Sequence, residues 1–379
     1  MRRILPLTLL FFFVSCNSMA QEQLVVSETS DTVPSAKLTL LFVGDLMQHK
    51  AQLEAALTSQ GSYDYSQCFS LIKEQISKAD IAIGNLEVPL GGKPYAGYPA
   101  FSAPDEFLYA IRDAGFDVLL TANNHCLDRG KKGLERTILM LDSLYIPYTG
   151  TYKNEEERRQ RYPLLIHKNG FRIAFLNYTY GTNGVKPSSP NRVNYIDKKI
   201  MQQDIDTARA WQPDAVIACM HWGNEYQSLP SREQRQLADW LLEQGVTHII
   251  GSHPHVIQPM ELRTDTLTGA QHAVVYSLGN FISNMNQVNT DGGLIFTLEL
   301  EKDTVTSSIP DIRISHCGYN LVWTARPTLT KEKNYVLYPI DSTSVSRLPE
   351  VARNRLNIFI KNSRKLLQQY NAGIRENKN

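Results

Sequence analysis

Cysteine is scarce in this chain of 379 residues, which contains only five. They are Cys16, Cys68, Cys126, Cys219 and Cys317. Because no two of them form a C-x-x-C pair, the sequence predicts neither a zinc knuckle nor a disulfide framework. Cys126 and Cys219 stand beside histidines, but as small buried apolar side chains they need no catalytic role.

An excess of charge of one sign is also absent. The chain has 39 Lys and Arg against 38 Asp and Glu, and two of the basic residues, Arg2 and Arg3, belong to the extreme N-terminus. Without a strongly basic surface, nucleic acid is not expected as a partner. The hydrophobic fraction of 42% is enough for one large buried core.

Long apolar runs are missing beyond the N-terminus, where residues 4–14 follow Arg2 and Arg3. That run is too short to span a bilayer as a mature helix, so residues 1–20 are predicted to be a signal peptide. Cleavage before Cys16 would leave a lipid-anchored cysteine, and cleavage after Ala20 would release a soluble periplasmic protein. The cysteine directly after the apolar run favours an exported lipoprotein of the cell envelope.

The remaining chain divides by composition. Residues 21–36 are polar and lack an apolar period, which is typical of a tether. Residues 37–300 are expected to form the main domain. Residues 301–379, with turn-rich strands and an amphipathic helix over 350–370, are expected to complete the same domain.

Short apolar runs alternate with segments of helical spacing from residue 37 onward. The predicted strands are 37–43, 79–84, 116–122, 171–178, 215–220, 246–251, 273–278 and 294–300. The predicted helices are 105–114, 130–144, 197–210 and 231–244. The mixed-charge stretch 154–161 indicates a solvated helix face or an insertion. Strands and helices in alternation predict an α/β layered fold.

Polar clusters follow directly on five of these strands. They are Gly44-Asp45-Leu46-Met47-Gln48-His49, Gly84-Asn85-Leu86-Glu87, Thr121-Ala122-Asn123-Asn124-His125, His221-Trp222-Gly223-Asn224-Glu225-Tyr226 and Gly251-Ser252-His253-Pro254-His255. Ligand sites of α/β sheets form at the carboxyl ends of strands. Each cluster alone has a simpler reading: Gly44-Asp45 as a turn, Glu87 as a surface residue, His221 as a core histidine.

Together the five clusters predict a metal site. His253 and His255 flank one residue, and His-x-His after a strand can direct both rings into one crevice. Imidazole and carboxylate donors without a thiolate favour Mn, Fe, Zn or a similar first-row ion, and residue types do not choose among them.

The same motifs carry a family resemblance. The ordered set G-D-L-M, G-N-L-E, T-A-N-N-H, H-W-G-N-E-Y, G-S-H-P-H-V-I-Q and Y-S-L-G-N-F, from Gly44 to Phe281, resembles the bacterial CapA family of capsule and poly-γ-glutamate synthesis. That family is similar in fold to calcineurin-like metallophosphatases. The resemblance therefore implies a four-layer sandwich, in which two β-sheets pack together with helices outside.

The resemblance also implies a two-ion site. Asp45 would bind the first ion, Glu87 would bridge, Asn124 would bind the second ion, and His221, His253 and His255 would complete the two sets. The metallophosphatase pattern begins Asp-x-His, whereas Met47 stands at that histidine position and His49 two residues later. The first ion is accordingly held by His49, held weakly, or absent.

Three further residues have candidate roles. Two bound ions can polarise an ester or amide oxygen and activate water, and His125 is the candidate general acid for the leaving group. Glu225 is a candidate orienting group or contact to a substrate amine, with a plain surface glutamate as the alternative. Asn280 is a candidate substrate contact in a segment that otherwise reads as a strand and a tight turn.

Three functional hypotheses follow. The first is a metal-dependent hydrolase or transferase acting on poly-γ-glutamate or another anionic capsule polymer at the cell surface. The second is a non-catalytic assembly or export factor that holds such a polymer at the membrane alongside other synthesis and export proteins. The third, a general metallo-phosphodiesterase, depends on fold analogy alone.

Overall fold

The computed structural model describes residues 35–303 and 312–377. The predicted signal peptide, most of the tether and the candidate lipidation site Cys16 lie outside the described residues. The first strand begins at Ser35, two residues before the predicted start of the main domain at Lys37. None of the helices in the described ranges combines the length and apolar character required to cross a bilayer.

The described residues form seventeen strands. They are β1 Ser35–Leu46, β2 Ile81–Leu86, β3 Val118–Leu120, β4 Tyr148–Thr149, β5 Thr151–Tyr152, β6 Leu164–Lys168, β7 Phe171–Thr179, β8 Arg192–Val193, β9 Ala215–His221, β10 His248–Ser252, β11 Met260–Thr264, β12 Gln271–Val275, β13 Asn280–Ile282, β14 Gly292–Asp303, β15 Ile312–Ala325, β16 Val336–Pro339 and β17 Arg375–Glu376.

Ten α-helices accompany these strands in the same part of the chain. They are α1 Lys50–Ala56, α2 Lys73–Ser77, α3 Asp105–Asp113, α4 Gly130–Ser143, α5 Glu155–Arg161, α6 Lys198–Ala210, α7 Arg232–Glu243, α8 Pro327–Thr330, α9 Ser342–Ser346 and α10 Glu350–Tyr370. A 3-10 turn covers Ser66–Phe69. The predicted helices are all present, and the charged stretch predicted as a solvated helix face is α5, in which no residue is buried.

The strands form two large sheets and a two-stranded β5–β8 ribbon. The first sheet has the order β16-β15-β14-β1-β2-β3-β4, with β13 also paired to β1 and β17 to β15. In it, β1 to β4 run parallel to one another. The second sheet has the order β11-β12-β10-β9-β7-β6, and its four central strands are parallel. Each sheet therefore presents a row of carboxyl strand ends at one edge.

The two sheets pack face to face. Leu40 and Phe42 of β1 join Ile173 and Phe175 of β7 in one buried cluster, while Leu41 of β1 faces the opposite way, into a cluster with α1 to α4. The outer face of the second sheet is covered by α6 and α7. Because β1 is buried on both faces, its sequence is a continuous apolar run. The predicted four-layer α/β sandwich is confirmed.

The C-terminal segment contacts both sheets. The predicted helix over 350–370 is present as α10, whose Leu356 and Phe359 are buried in the cluster between the sheets. Beyond α10, Ala372 forms a bridge with Glu261 of β11, and β17 pairs with β15. The end of the chain thus links the edge of one sheet to the other.

Candidate metal centre

The first cluster begins inside a strand and not in a turn. β1 continues past the predicted end at Val43 to Leu46, and its pairing with β2 and β13 becomes irregular at Asp45. Gly44 permits this arrangement, because a Cβ atom there would overlap the Gly279 carbonyl oxygen. The Asp45 backbone N–H donates to that same oxygen at 3.1 Å. Asp45 is thereby held, wholly buried, beside Asn280.

One group of metal-compatible donors consists of Asp45, Glu87 and His255. His255 Nδ1 lies 3.1 Å from Asp45 Oδ2, and His255 Nε2 lies 3.8 Å from Glu87 Oε1. Asn85 holds the two carboxylates in place, since its Nδ2 donates to Asp45 Oδ1 at 2.8 Å and to Glu87 Oε2 at 3.2 Å. Asp45 lies in β1, Glu87 directly follows β2 and His255 lies beyond β10, and all three are buried.

A second donor group consists of Glu87, His221 and His253. His221 Nε2 is 3.8 Å from Glu87 Oε1 and 2.9 Å from Asn124 Oδ1. The rings of His221 and His253 have centroids 4.8 Å apart. Glu87 belongs to both groups, so its carboxylate lies between them. This is the position that a bridging ligand occupies.

The His-x-His segment has an unusual backbone conformation. β10 ends at Ser252, and His253 and His255 then take positive φ values of 101° and 58°. Positive φ is uncommon for residues other than glycine and is tolerated where the surrounding structure imposes it. The turn brings both rings to the donor groups, as the spacing predicts.

The carboxylates of the site have opposite pKa shifts. Burial raises the pKa of Glu87 well above its usual value, and the charge of nearby Asp45 raises it further. Burial also acts to raise the pKa of Asp45, but the hydrogen bond and charge interaction with His255 outweigh it and hold that pKa below its usual value. The protein's own groups therefore compensate the charge of Asp45 and leave that of Glu87 uncompensated.

The histidines differ in the same way. Burial lowers the pKa of His253 to about 3, and burial together with the neighbouring His253 lowers that of His221 well below its usual value. For His255, burial acts to lower the pKa, but Asp45 outweighs it, so the pKa is raised. Neutral His221 and His253 are in the form that binds metals.

Two buried polar atoms at the centre have no hydrogen-bond partner: Glu87 Oε1 and His253 Nδ1. Buried polar atoms are almost always satisfied, and an uncompensated buried carboxylate is costly. The 3.8 Å separations from Glu87 Oε1 to two histidine nitrogens are too long for hydrogen bonds, yet shorter than two metal–ligand bonds end to end, about 4 Å. The acidic and histidine clusters therefore suit a divalent cation.

His125 lies at the edge of this centre and is paired with a residue that the sequence analysis missed. His125 Nδ1 is 2.8 Å from Asp128 Oδ2, and both side chains are almost fully buried. Asp128 also accepts the Phe101 backbone N–H at 2.8 Å, and the Phe101 ring packs edge-on against His125 at 4.7 Å. Among the described residues, His125 Nε2 has no hydrogen-bond partner, so it is the ring nitrogen available to a ligand.

Other contributors were visible in the motifs but received no predicted role. Asn85 stands inside G-N-L-E, and Asn123 inside T-A-N-N-H donates to Asn85 Oδ1 at 3.2 Å and to the Leu86 carbonyl at 2.8 Å. Asn183, from a loop after β7, accepts from Asn124 Nδ2 at 3.3 Å. The only sequence signal for Asn85 and Asn123 was their position beside predicted ligands, and Asn183 had none.

Glu225 and Asn280 occupy different surroundings. Glu225 is exposed and forms a third donor group with His253 and His255. Asn280 is fully buried, with its Oδ1 3.0 Å from His255 Nδ1 and its Nδ2 donating to the Thr290 carbonyl at 2.8 Å. Glu225 thus faces the open side of the centre, whereas Asn280 supports His255 from behind.

His49 lies apart from the donor groups found among the described residues. It precedes α1, and its Nδ1 accepts the Asn284 backbone N–H at 3.2 Å and lies 3.3 Å from Gln52 Oε1. Burial lowers its pKa to about 4. Met47 is buried in the cluster between the first sheet and its helices. Neither residue contributes to a donor group found in the described part of the chain.

Two solved structures are similar to this chain at modest TM-scores. NAD nucleotidase from Haemophilus influenzae has a TM-score of 0.47 at 12% identity, over 91% of this chain and 65% of that one. The calcineurin-like phosphoesterase YfkN from Bacillus subtilis has a TM-score of 0.44 at 12% identity, over 88% of this chain and 100% of that one.

Two curated proteins are similar in sequence. Capsule biosynthesis protein CapA of Bacillus anthracis is 28% identical over 273 residues, which is 68% of this chain and 63% of that protein, so the chain spans less than two thirds of its length. PGA biosynthesis protein CapA of Bacillus subtilis is 28% identical over 308 residues, 79% of this chain and 76% of that protein. The profile of the bacterial capsule synthesis protein family, PGA_cap, matches residues 39–285, and the chain belongs to this family.

Proposed function

We propose that this chain is a metal-dependent hydrolase or transferase that acts on an anionic polymer of the cell envelope. The observation that carries the proposal is the buried Glu87 oxygen, which lacks a partner and lies 3.8 Å from both His221 and His255. Such an oxygen needs a cation for compensation.

The donors divide into two sets for first-row ions such as Mn, Fe or Zn. Asp45, Glu87 and His255 would hold one ion, and Glu87, Asn124, His221 and His253 would hold the other. When bound, such ions polarise an ester or amide oxygen and lower the pKa of water at the site. His49 is not needed in either set, because its Nδ1 already accepts the Asn284 backbone N–H.

Three further residues, His125, Asn280 and Glu225, act around the two sets of metal donors. His125, oriented by Asp128 through Nδ1, presents Nε2 to the leaving group and donates the proton that it needs. Asn280 fixes the orientation of His255 through its Oδ1. Exposed Glu225, on the open side of His253 and His255, contacts the substrate or adds a donor to the site.

The polymer and the location are inferred from the family and the relatives. Relatives named for capsule biosynthesis and PGA biosynthesis favour poly-γ-glutamate or another acidic capsule component as substrate. The apolar N-terminal run followed by Cys16 supports export and a lipid anchor, which would place the domain at the membrane among polymer synthesis and export proteins.

The test uses the full chain loaded with Mn²⁺ and poly-γ-glutamate as substrate. Wild type should release new chain ends, and dialysis against a chelator should abolish the release. His125→Ala should lower kcat by roughly 100-fold or more while the bound metal stays unchanged, because His125 supplies a proton and not a ligand. The exposed histidine His167 of β6 provides the matched control, and His167→Ala should change neither quantity.

Full metal loading with no turnover, and polymer assembly intact in His125→Ala cells, would replace this proposal with the non-catalytic assembly role. Turnover of bis-aryl phosphodiesters but not of the polymer would favour a general phosphodiesterase instead.

A further inference from the structure

A groove lined by aromatic and cationic side chains adjoins the candidate metal centre. It has a volume of about 530 Å³ and is lined by Lys50, Glu54, Tyr63, Tyr95, Tyr98 and Arg129 among others. This volume is within the range of ligand-binding clefts. The residues discussed above as metal donors are not part of its lining, so it is a separate surface.

A tight hairpin separates the groove from the metal centre. Ala96 and Ser102 exchange backbone hydrogen bonds at 3.1 and 2.8 Å. On its inner side, Phe101 packs against His125 at 4.7 Å. At its tip, Tyr98 is 73% exposed, and its ring centroid lies 6.3 Å from that of Phe101. A chain lying in the groove and crossing this tip would arrive at the mouth of the centre.

Arg129 is set into the wall of the groove. Its side chain runs between Gly91 and Gly133, where a Cβ atom on either glycine would overlap it. Its Nη2 donates to the Pro94 carbonyl at 2.7 Å, and among the described residues it forms no ion pair. Arg129 directly follows Asp128, the partner of His125. A cation that forms no ion pair within the described ranges is therefore held one residue from Asp128, the carboxylate that pairs with the candidate acid His125.

The chemistry of the lining indicates an acidic chain. Lys50 is highly exposed and pairs with Glu54 at 3.8 Å, so that Lys50 and Arg129 give the groove two cations against one carboxylate. Guanidinium groups bind carboxylates with directed hydrogen bonds. Tyrosines supply apolar faces for methylene groups and hydroxyls for amides. These are the groups of an amide-linked polymer with one carboxylate per unit.

The arrangement of the tyrosines disfavours sugars as the bound units. Tyr63 and Tyr95 meet edge to face, with an interplanar angle of 87° and centroids 5.4 Å apart. They therefore do not provide two parallel faces on which successive sugar rings could stack. A narrow polyamide chain has no such requirement.

We propose that this groove binds the acidic polyamide strand next to the reacting bond, with Arg129 pairing a carboxylate and Tyr98 guiding the strand over the hairpin to the metal centre. The proposal rests on the proposed function for its orientation toward the centre. The binding itself does not require catalysis or bound metal.

The test measures fluorescence anisotropy of a labelled, short γ-linked glutamate oligomer with the full chain, after metal removal with a chelator. Arg129→Gln should weaken binding about tenfold, since a hydrogen-bonded charge pair is lost. Arg129→Lys should lose less affinity for the oligomer than Arg129→Gln does. Tyr98→Ala should weaken binding severalfold. Added salt should weaken wild type more than Arg129→Gln, because screening acts on the charge pair.

Lys132→Gln is the matched control, as an exposed cation of α4 outside the groove lining, and it should bind like wild type. Mn²⁺ affinity, measured separately, should be unchanged in every variant and verifies that each one is folded. Equal oligomer affinity in Arg129→Gln, Tyr98→Ala and wild type would overturn the proposal. Tighter binding of an oligogalacturonate that is lost in the same variants would also overturn it, in favour of an acidic polysaccharide.

These outcomes are distinguishable from failure of the proposed function. If the groove variants lose oligomer binding but keep Mn²⁺ binding, the proposal for the metal centre is unaffected. A chain that binds the oligomer but never cleaves it would retain the groove and lose the catalytic role.

Discussion

One buried histidine, His248, opens strand β10 and another, His255, lies three residues past its end, and the groups around these two histidines differ. His248 opens the strand, and its Nδ1 accepts the Ala273 backbone N–H at 3.2 Å. Among the described residues it has no carboxylate within ion-pair distance. Past the other end, His255 lies 3.1 Å from Asp45 and 3.8 Å from Glu87.

The difference shows what distinguishes a structural histidine from a candidate ligand. Burial lowers the pKa of His248 to about 3, so this ring is a neutral hydrogen-bond acceptor within the sheet. His255 is buried to a similar degree, but Asp45 reverses the effect of burial and raises its pKa. Burial is common to both ends, and the buried carboxylates are found only at the carboxyl end.

The largest difference in Mn²⁺ affinity should appear between a variant of His255 and a variant of His248. His255→Ala should reduce Mn²⁺ affinity by roughly 100-fold or more, because loss of a direct donor should cost at least as much as loss of a supporting residue. His248→Gln should leave Mn²⁺ affinity unchanged. Isothermal titration of both variants checks this, and an equal loss in the two would remove the distinction between the ends.

A smaller effect on Mn²⁺ affinity is expected for Asn280, which contacts His255. Asn280→Ala removes the amide oxygen 3.0 Å from His255 Nδ1 and should lower Mn²⁺ affinity by about 10-fold to 100-fold. Ser283, buried nearby on the chain, serves as the control, and Ser283→Ala should titrate like wild type. Wild-type affinity in Asn280→Ala would instead favour the substrate-contact role.

The contribution of His248 should be visible in the free energy of unfolding at acidic pH. His248 has a folded pKa of about 3 against an ordinary value of 6.5, so the unfolded chain takes up its proton first as the pH falls below 6.5. The free energy of unfolding should therefore decrease by about 1.4 kcal/mol per pH unit from this residue alone, until the folded protein also protonates near pH 3.

Urea unfolding of chelator-treated wild type and His248→Gln at neutral and mildly acidic pH measures this contribution. On acidification, the free energy of unfolding of His248→Gln should fall less than that of wild type, and the difference should correspond to one proton. The other histidines titrate in both proteins, so their contributions cancel in the comparison. Parallel pH profiles would mean that His248 is not neutral in the folded state.

The smallest effect at the metal end is expected for Glu225. Its carboxylate is exposed and competes with water, so Glu225→Gln should lower Mn²⁺ affinity by less than about tenfold. Polymer turnover should fall more than metal affinity if its main contact is the substrate. A loss of metal affinity as large as in His255→Ala would place Glu225 among the principal donors.

Much of the architecture could be predicted from sequence patterns. Continuous apolar runs such as 37–43 require burial on both faces, and they became strands covered by a sheet on one side and helices on the other. The helix at Glu350–Tyr370 was predicted with its observed bounds from its amphipathic period. Strand ends were less accurate: β1 runs three residues past Val43, because Gly44 allows the strand to pass close to Gly279.

The candidate site was predictable in composition and only partly in geometry. The motifs placed Asp45, Glu87 and His255 at strand ends, which parallel strands bring to one edge. Asp128 was missed because its pairing with His125 depends on the turn between β3 and α4 and on Phe101 from a distant hairpin.

By itself, the sequence determined the alternation of strands and helices, the burial of the central strands and the choice of imidazole, amide and carboxylate donors, because these follow from local hydrophobic period and side-chain chemistry. Only the tertiary structure decided that Glu87 lies between two donor groups, that His49 Nδ1 accepts the Asn284 backbone N–H, and that Arg129 lines a groove without an ion pair in the described part of the chain. Those features depend on separations between atoms far apart in the chain, which no local pattern encodes.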